Sequence, residues 1–452
     1  MKQVLVLGAG KSSPYLIASL LEMAEKFDWF VMVGDLDQEM ARERVGDHPR
    51  GNAVRFDVND SQLRDRLISE ADLVVNMLAP RFQDLIAWDC VQHGKHMTSV
   101  SYRSRGLLDL EPDAQREGVL LLSELGLDPG IDHMSAMKLI RRIKDEGGRI
   151  TGFCSYGSGI PSHEQEHNPL RYAVTWNPRN VVMSGEAGAQ YMEDGHIKIV
   201  PYHHVFHHTW AVDVEGVGDL EAYPNRDSLG YLKTFGLDHV STMIRGTLRY
   251  PGWSETWSRI VQLGLPNESV SIPDLANRTY REVVEMFLPM NVSGPKIETR
   301  VARFLGISPT GGIMDKLRWL GLFSEEKTGC QGESSAAMLV DLLQRKLPLA
   351  DDEHDMVVLV HELDVEYPDS DRPDEKITST FVVQGEPGGF TAMSKTVGLP
   401  AALAAGLILE GKLHLTGVQL PTHPSIYEPI LDSLRERGME FVERVEIVEP
   451  KS

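Results

Sequence analysis

Cysteine is scarce in this chain: Cys90, Cys154 and Cys330 are the only three in 452 residues, far apart and without a C-x-x-C pair. That excludes a disulfide framework and a thiolate zinc site. Basic runs are missing as well. Lys and Arg number 45 against 66 Asp and Glu, a net charge of −21, so neither nucleic acid nor a membrane surface is an expected partner. No stretch approaches the roughly 18 uncharged apolar residues of a membrane span. The opening MKQVLVLGAG is apolar for a few residues and then turns through glycines, which predicts a strand rather than a signal peptide, and so a cytoplasmic location. Internal repeats and low-complexity segments are absent.

What is present is the composition of a globular protein, 42 % hydrophobic and 25 % charged, long enough for two or three domains. Apolar runs at Val4–Leu7, Phe30–Val33, Leu73–Met77, Met97–Val100 and Leu120–Ser123 alternate with helical stretches at Tyr15–Lys26, Asp37–Val45, Ser61–Ser69 and Phe82–His93. This rhythm predicts an α/β fold, a parallel sheet with helices on both faces. After Asp128-Pro129-Gly130 the pattern changes. A helix is expected over His133–Lys144, then β-prone segments at Gly152–Tyr156, Ile197–Val200 and His204–Val214. Helical patterns then dominate to about Leu349, including Leu237–Leu248 and Ser334–Arg345. Strand character returns at Met356–Leu363 and Ile377–Val383, ahead of an Ala/Leu-rich helix at Ser394–Leu409. A sheet domain interrupted by a helical insertion explains this order.

Gly8-Ala9-Gly10-Lys11-Ser12-Ser13 follows the first strand and opens the first helix, the context a Rossmann fingerprint requires. One glycine permits the turn, the other lets backbone approach a pyrophosphate, and the helix N-terminus offers free N–H donors. Ser13 stands where a third Gly or Ala is usual, a departure expected to loosen helix–strand packing slightly. Asp35, ending the second strand, suits a ribose-binding acid; its charge repels a 2′-phosphate, so NAD is expected over NADP. Asp57 after the third strand and the turn Met77-Leu78-Ala79-Pro80 after the fourth line the same groove, though each also fits a plain strand-end cap.

His163-Glu164-Gln165-Glu166-His167 matches the H-E-x-x-H zinc pattern. Pro161 precedes it closely and Asn168-Pro169 ends any helix at once, so the two histidines lack the helical face that chemistry needs. A loop is expected there. His203, His204, His207 and His208 are read as a partly exposed strand rather than a ligand set. No metal is expected.

Arg226 lies in the turn Tyr223-Pro224-Asn225-Arg226-Asp227-Ser228, and Arg245 opens Arg245-Gly246-Thr247, where glycine lets a ligand reach the backbone. Two such arginines fit a polycarboxylate, the threonine hydroxyl adding a third bond; surface salt bridges explain them equally well.

Gly126-Leu127-Asp128-Pro129-Gly130-Ile131-Asp132-His133-Met134 resembles the signature of glutamate-forming saccharopine dehydrogenases. So do Asn168–Tyr172, Tyr223–Ser228, Arg245–Tyr250 and Met393–Pro400, in the family's order and over nearly the whole chain. The resemblance implies a Rossmann domain over 1–128, with 394–452 packing back on it. It further implies a mixed α/β substrate-binding and dimerisation domain over 129–235 and 350–393, and a helical insertion over 236–349. The implied reaction takes saccharopine, NAD(P)⁺ and water to glutamate, 2-aminoadipate 6-semialdehyde and NAD(P)H, or the reverse, in a homodimer. Carried over by residue, substrate contacts fall on Ser101, Tyr102, Asp128, Arg226, Arg245, Gly246 and Thr247, with Tyr102 and Asp128 the candidate acid–base groups. Cofactor contacts fall on Gly8, Gly10, Lys11, Ser12, Ser13, Asp35, Met77–Pro80, Leu127, Asp128, Pro129 and Trp176. There is a departure: many relatives read Ser-Tyr-Cys-Gly-Gly-Leu-Pro where this chain has Ser155-Tyr156-Gly157-Ser158-Gly159-Ile160-Pro161, which argues against thiol chemistry. The alternatives are a reductase of another amine–semialdehyde pair, of the carboxynorspermidine or homospermidine type, and a non-catalytic NAD-sensing protein.

Overall fold

The computed structural model describes residues 1–162 and 168–448. It opens with β1 (Lys2–Leu7), α1 (Pro14–Phe27), β2 (Trp29–Asp35), α2 (Gln38–Val45), β3 (Gly51–Arg55), α3 (Ser61–Glu70), β4 (Leu73–Asn76) and α4 (Gln83–Gln92). Then come β5 (His96–Ser99), α5 (Arg105–Asp109), α6 (Glu111–Arg116), β6 (Leu120–Leu122), α7 (Ile131–Asp145) and the long β7 (Arg149–Pro161). There follow α8 (Pro178–Val182), β8 (Ala189–Glu193), β9 (His196–Val200), β10 (Trp210–Val214), β11 (Gly218–Pro224), β12 (Arg226–Asp227), α9 (Tyr231–Phe235) and β13 (Thr242–Arg249). Helices α10 (Trp253–Gln262), α11 (Tyr280–Met286), α12 (Ile297–Leu305), α13 (Gly312–Leu320) and α14 (Ser335–Lys346) precede β14 (Asp355–Glu366) and β15 (Glu375–Gln384). The chain closes with α15 (Ala392–Leu409), β16 (Gly417–Gln419), α16 (Pro424–Glu436) and β17 (Phe441–Ile447).

Two compact units result. The first holds Met1–Arg149, Tyr367–Arg372 and Phe381–Val442; the second holds Ile150–Glu366, Pro373–Thr380 and the residues from Glu443 onward. In the first unit seven strands order as β16-β6-β5-β4-β1-β2-β3, paired parallel throughout. Helices on both faces bury its central strands, so Val4–Leu7 and Leu73–Val75 read as unbroken apolar runs instead of alternating ones. Helix α15 lies against α1, where a Cβ on Gly398 would sit 2.9 Å from the Leu16 backbone nitrogen. It is long and apolar enough to cross a membrane by length and composition, though it carries Lys395, and 78 % of it is buried within the fold.

The second unit is built on a mixed sheet ordered β10-β11-β13-β7-β14-β15-β17, with β8, β9 and β12 attached at β13. Here two expectations fail. Leu237–Leu248, read as helical, holds all but the last residue of β13, paired parallel with β7 and antiparallel with β11. Leu237, Val240, Ile244 and Leu248 happen to fall at helical spacing, while a strand buried on both faces shows no alternation to contradict it. The histidine run is not a strand either: Tyr202–His207 forms a short 3-10 helix with its histidines exposed, and β10 begins only at Trp210.

Candidate functional site

The strand order of the first unit reverses between β1 and β4, so the loops leaving those two strands flank a crevice at the carboxyl edge of the sheet. Gly8 has φ +106°, and a Cβ there would lie 2.9 Å from the Met77 carbonyl oxygen. Only glycine satisfies both conditions. Gly8→Ala is expected to cost about 2 kcal/mol, read as a fall of about 5 °C in melting temperature. Beside Gly10 a Cβ would meet nothing, which leaves the turn open to a ligand. Ser13 is buried, and both its N–H and its Oγ donate to the Gly10 carbonyl at 3.1 and 2.9 Å, closing the turn ahead of Pro14. Lys11 is exposed and Ser12 half-buried.

Asp35 is fixed beside this turn. Its Oδ2 accepts the Ala9 N–H at 2.7 Å and its Oδ1 the Asp37 N–H at 3.0 Å. Asp57 instead caps its own turn, Oδ1 accepting from the Asn59 backbone and side-chain nitrogens at 2.9 and 3.0 Å. The Met77–Pro80 turn is set by Leu78 N–H donating to Asn76 Oδ1 at 3.1 Å, and Pro80 starts a 3-10 turn.

The loops leaving β5 and β6 bring Tyr102 and Asp128 together: the Tyr102 hydroxyl donates to Asp128 Oδ1 at 3.2 Å. Both side chains are half-buried, and the Asp128–Pro129 peptide is cis. Leu127 and Pro129 are buried; Ser101 donates its N–H to Ser99 Oγ at 3.2 Å. Three residues to which the sequence lent no role hold these loops. Glu124, buried and at φ +61°, gives its N–H to the Ser101 carbonyl and accepts the Arg103 N–H on Oε1 at 2.9 Å, so it brackets Tyr102. Asp132 accepts the Gly130 N–H at 2.6 Å and gives its own N–H to the Leu127 carbonyl, so it brackets Asp128. Between them lies His133, fully buried, with Nε2 2.8 Å from Glu124 Oε2 and Nδ1 2.8 Å from Asp132 Oδ1. Burial pulls this imidazole down, but Asp132 and Glu124 outweigh it and push His133 up to about 9. His133 and Asp132 stand in the Gly126–Met134 signature, while nothing in the sequence marks Glu124.

In the second unit the two arginine segments are knit together. Asn225 N–H donates to the Arg245 carbonyl at 2.8 Å, and Arg245 N–H donates to Ser228 Oγ at 2.9 Å. Arg226 is exposed at φ +52°, and the buried Arg245 guanidinium lies 4.3 Å from the Tyr231 ring centroid. Strand alternation puts Arg245 and Thr247 on one face of β13 and Gly246 on the other. A Cβ on Gly246 would be 3.0 Å from the Tyr156 ring and 3.2 Å from the Tyr223 carbonyl, so strand packing leaves no room for a side chain there. Trp176 donates Nε1–H to the Tyr172 hydroxyl at 3.0 Å. Arg249, which the sequence reading passed over, is buried against the Tyr172 and Trp253 rings and donates to Ser158 Oγ at 2.8 Å. Burial pushes the Cys154 thiol up to about 12, so it carries no thiolate near neutrality. The H-E-x-x-H stretch, His163–His167, lies outside the described residues. Among the described residues no three His, Cys, Asp or Glu side chains gather as a metal site.

Two family models match the chain: the saccharopine dehydrogenase NADP binding domain over residues 4–122 and the saccharopine dehydrogenase C-terminal domain over residues 126–439. The alpha-aminoadipic semialdehyde synthase of Bos taurus is 32 % identical over 97 % of this chain, which spans 47 % of that relative, about half its length. The Saccharomyces cerevisiae saccharopine dehydrogenase [NADP(+), L-glutamate-forming] is 30 % identical over 96 % of this chain and 97 % of its own. The solved apo structure of the L-Glu-forming saccharopine dehydrogenase from Saccharomyces cerevisiae superposes with a TM-score of 0.86 at 28 % identity, covering 99 % of this chain and all of that one.

Proposed function

The chain belongs to the saccharopine dehydrogenase family, and from that membership we propose that it interconverts saccharopine, NAD(P)⁺ and water with L-glutamate, 2-aminoadipate 6-semialdehyde and NAD(P)H. The observation that carries the reading is the Tyr102–Asp128 hydrogen bond, set on the loops that leave two strands of a dinucleotide-type sheet. Gly8, the open space at Gly10 and the N-terminus of α1 suit a pyrophosphate, with Lys11, Ser12 and Ser13 beside it. When bound, the nicotinamide ring supplies the hydride acceptor.

The protein's part is binding and proton transfer. Oxidation of the secondary amine at the lysine-derived carbon leaves an imine; water adds, and the adduct collapses to amine and aldehyde. Each stage moves a proton at the former amine nitrogen or the new hydroxyl, and Tyr102 with Asp128 offers a donor and an acceptor in contact. Arg226, Arg245 and Thr247 answer the substrate's carboxylates. Ser101 is assigned to the substrate. Leu127, Pro129, Trp176 and the Met77–Pro80 turn are assigned to the dinucleotide. Asp57, whose carboxylate is spent on its own turn, contributes at most through backbone.

On cofactor choice the reading departs from the NADP(+) in the names of the fungal relatives. Asp35 beside the Ala9 N–H, with Asp37 two residues on, favours a ribose with free hydroxyls over a 2′-phosphate. A homodimer in the cytoplasm completes the proposal, its mass testable by light scattering.

The test is the initial rate of NAD⁺ and, separately, NADP⁺ reduction with saccharopine, followed by absorbance of the reduced nicotinamide. Turnover with NAD⁺ ahead of NADP⁺ is expected. No turnover with either, from folded protein that binds NADH, removes saccharopine as substrate. Arg226→Ala is expected to raise the KM for saccharopine about 20-fold with kcat little changed, the pattern of a lost binding contact. An unaltered KM returns this arginine to the surface.

A further inference from the structure

A histidine with no exposure, lodged between two carboxylates 2.8 Å away on either side, is an unusual thing to bury beside a reaction site that does not use it directly. Its geometry is specific about protons. A neutral imidazole has one N–H and one lone pair; facing a carboxylate oxygen at both nitrogens, the lone pair would meet another lone pair. The doubly protonated ring hydrogen-bonds Glu124 through Nε2 and stands in ion-pair contact with Asp132 at Nδ1, and its single positive charge offsets part of the two negative charges buried with it.

Each carboxylate has a second task. Glu124 Oε1 accepts the Arg103 N–H and the Glu124 N–H donates to the Ser101 carbonyl, so the backbone on both sides of Tyr102 is held by one residue. Gln83 Nε2 donates to the Tyr102 carbonyl at 2.9 Å, and its Oε1 accepts the Ser99 hydroxyl at 2.7 Å. On the other side Asp132 Oδ1 takes the Gly130 N–H, and Asp132 and Ile131 donate their N–H groups to the Leu127 and Gly126 carbonyls. The loop that carries Asp128 thus hangs from the first turn of α7. The imidazole is the piece that joins these two supports. Tyr102 and Asp128 lie 26 positions apart, and their 3.2 Å hydrogen bond depends on two separate loops arriving in register.

We infer that His133 is a positioning residue for the proposed reaction: as an imidazolium it clamps Glu124 to Asp132 and thereby sets the Tyr102–Asp128 pair. It touches neither substrate nor dinucleotide in this role. The inference rests on the saccharopine reading for its kinetic consequences, but the charge state of the clamp is independent of any substrate.

Two measurements separate the inference from that reading. The first is ¹⁵N NMR of the full-length protein labelled in histidine, with His133→Gln used to assign the signal. At pH 8, where exposed histidines are neutral, both His133 ring nitrogens are expected to carry protons, with the Glu124 and Asp132 side chains facing the ring. A neutral ring at pH 8 overturns the clamp whether or not saccharopine is the substrate. The second is kinetic. His133→Gln is expected to lower kcat about 30-fold while the KM for saccharopine and the Kd for the dinucleotide change less than threefold. Because His133 acts through Tyr102 and Asp128, adding His133→Gln to Tyr102→Phe should lower kcat no further than the worse single variant. Unchanged kcat in His133→Gln, or losses that multiply in the double variant, overturns the positioning role. If His133→Gln does not fold, Glu124→Gln, of the same size and on the Tyr102 side of the clamp, is put through the same comparison.

Discussion

Asp128→Asn is expected to lower kcat for saccharopine oxidation about 100-fold, while the Kd for NADH stays within a factor of two. Asparagine keeps the size of the side chain and still accepts the Tyr102 O–H through its carbonyl oxygen, so the 3.2 Å contact survives. What it loses is the ability to take up a proton and the negative charge that polarises the phenol. General acid–base catalysis contributes about 10²–10⁴ in rate, and a 100-fold loss, about 2.7 kcal/mol, is the lower end of that range. Dinucleotide contacts from this loop are assigned to the flanking residues, whose positions are set by α7 and do not depend on the carboxylate. Steady-state kinetics beside a fluorescence titration separates the two quantities. If kcat holds while KM rises, Asp128 orients the substrate and the proton moves by another route. Tyr102→Phe should fall in the same direction, since it removes the donor half of the pair.

Asp35→Ala is the second large effect, on choice of cofactor. The proposed preference for NAD⁺ over NADP⁺, measured as the ratio of kcat/KM values, is expected to narrow about 30-fold. Two contributions act together. A carboxylate near a dianionic 2′-phosphate repels it, and its loss raises NADP⁺ use; the same carboxylate accepts from ribose hydroxyls, and its loss lowers NAD⁺ use. Part of the NAD⁺ loss comes from the protein itself, because the Ala9 N–H in the glycine turn loses its 2.7 Å acceptor. Arg55 pairs with Asp35 in the register of β2 and β3, and it is exposed at the same strand end. It is the cation placed to meet a 2′-phosphate once the acid is gone, so Asp35→Ala/Arg55→Ala should return NADP⁺ use toward the wild-type value. An unchanged ratio in Asp35→Ala removes this residue from cofactor selection.

The sequence is most readable where structure is local and least where it is not. Strand β1, the glycine turn and α1 announce themselves because turn chemistry, strand hydrophobicity and helix start lie within about thirty residues of one another. Arg226 and Arg245 were legible as a pair through their turn residues, and the two segments do bond to each other. What was hidden falls into two kinds. β13 carries apolar residues on both faces along with two buried arginines, and its preceding turn completes a false helical period. Glu124, His133 and Asp132 escaped for another reason: a buried ionic cluster has no spacing rule, since the first turn of α7 supplies Asp132 and His133 while the loop after β6 supplies Glu124.

The parallel sheet of the first unit is finished by a strand from the far end of the chain. β16 pairs with β6 through Gly417–Gln419, and α15 covers α1 from residues 392–409. During synthesis, therefore, the first six strands emerge early but β6 stays an open edge, and the apolar face of α1 stays bare, until about three hundred further residues have been added. Such long-range closure is slow and leaves an aggregation-prone surface in the interval. The nascent chain is thus at its most vulnerable while the intervening segment is being made, and substitutions in α15 should harm yield from cells more than they harm the activity of protein that has already folded.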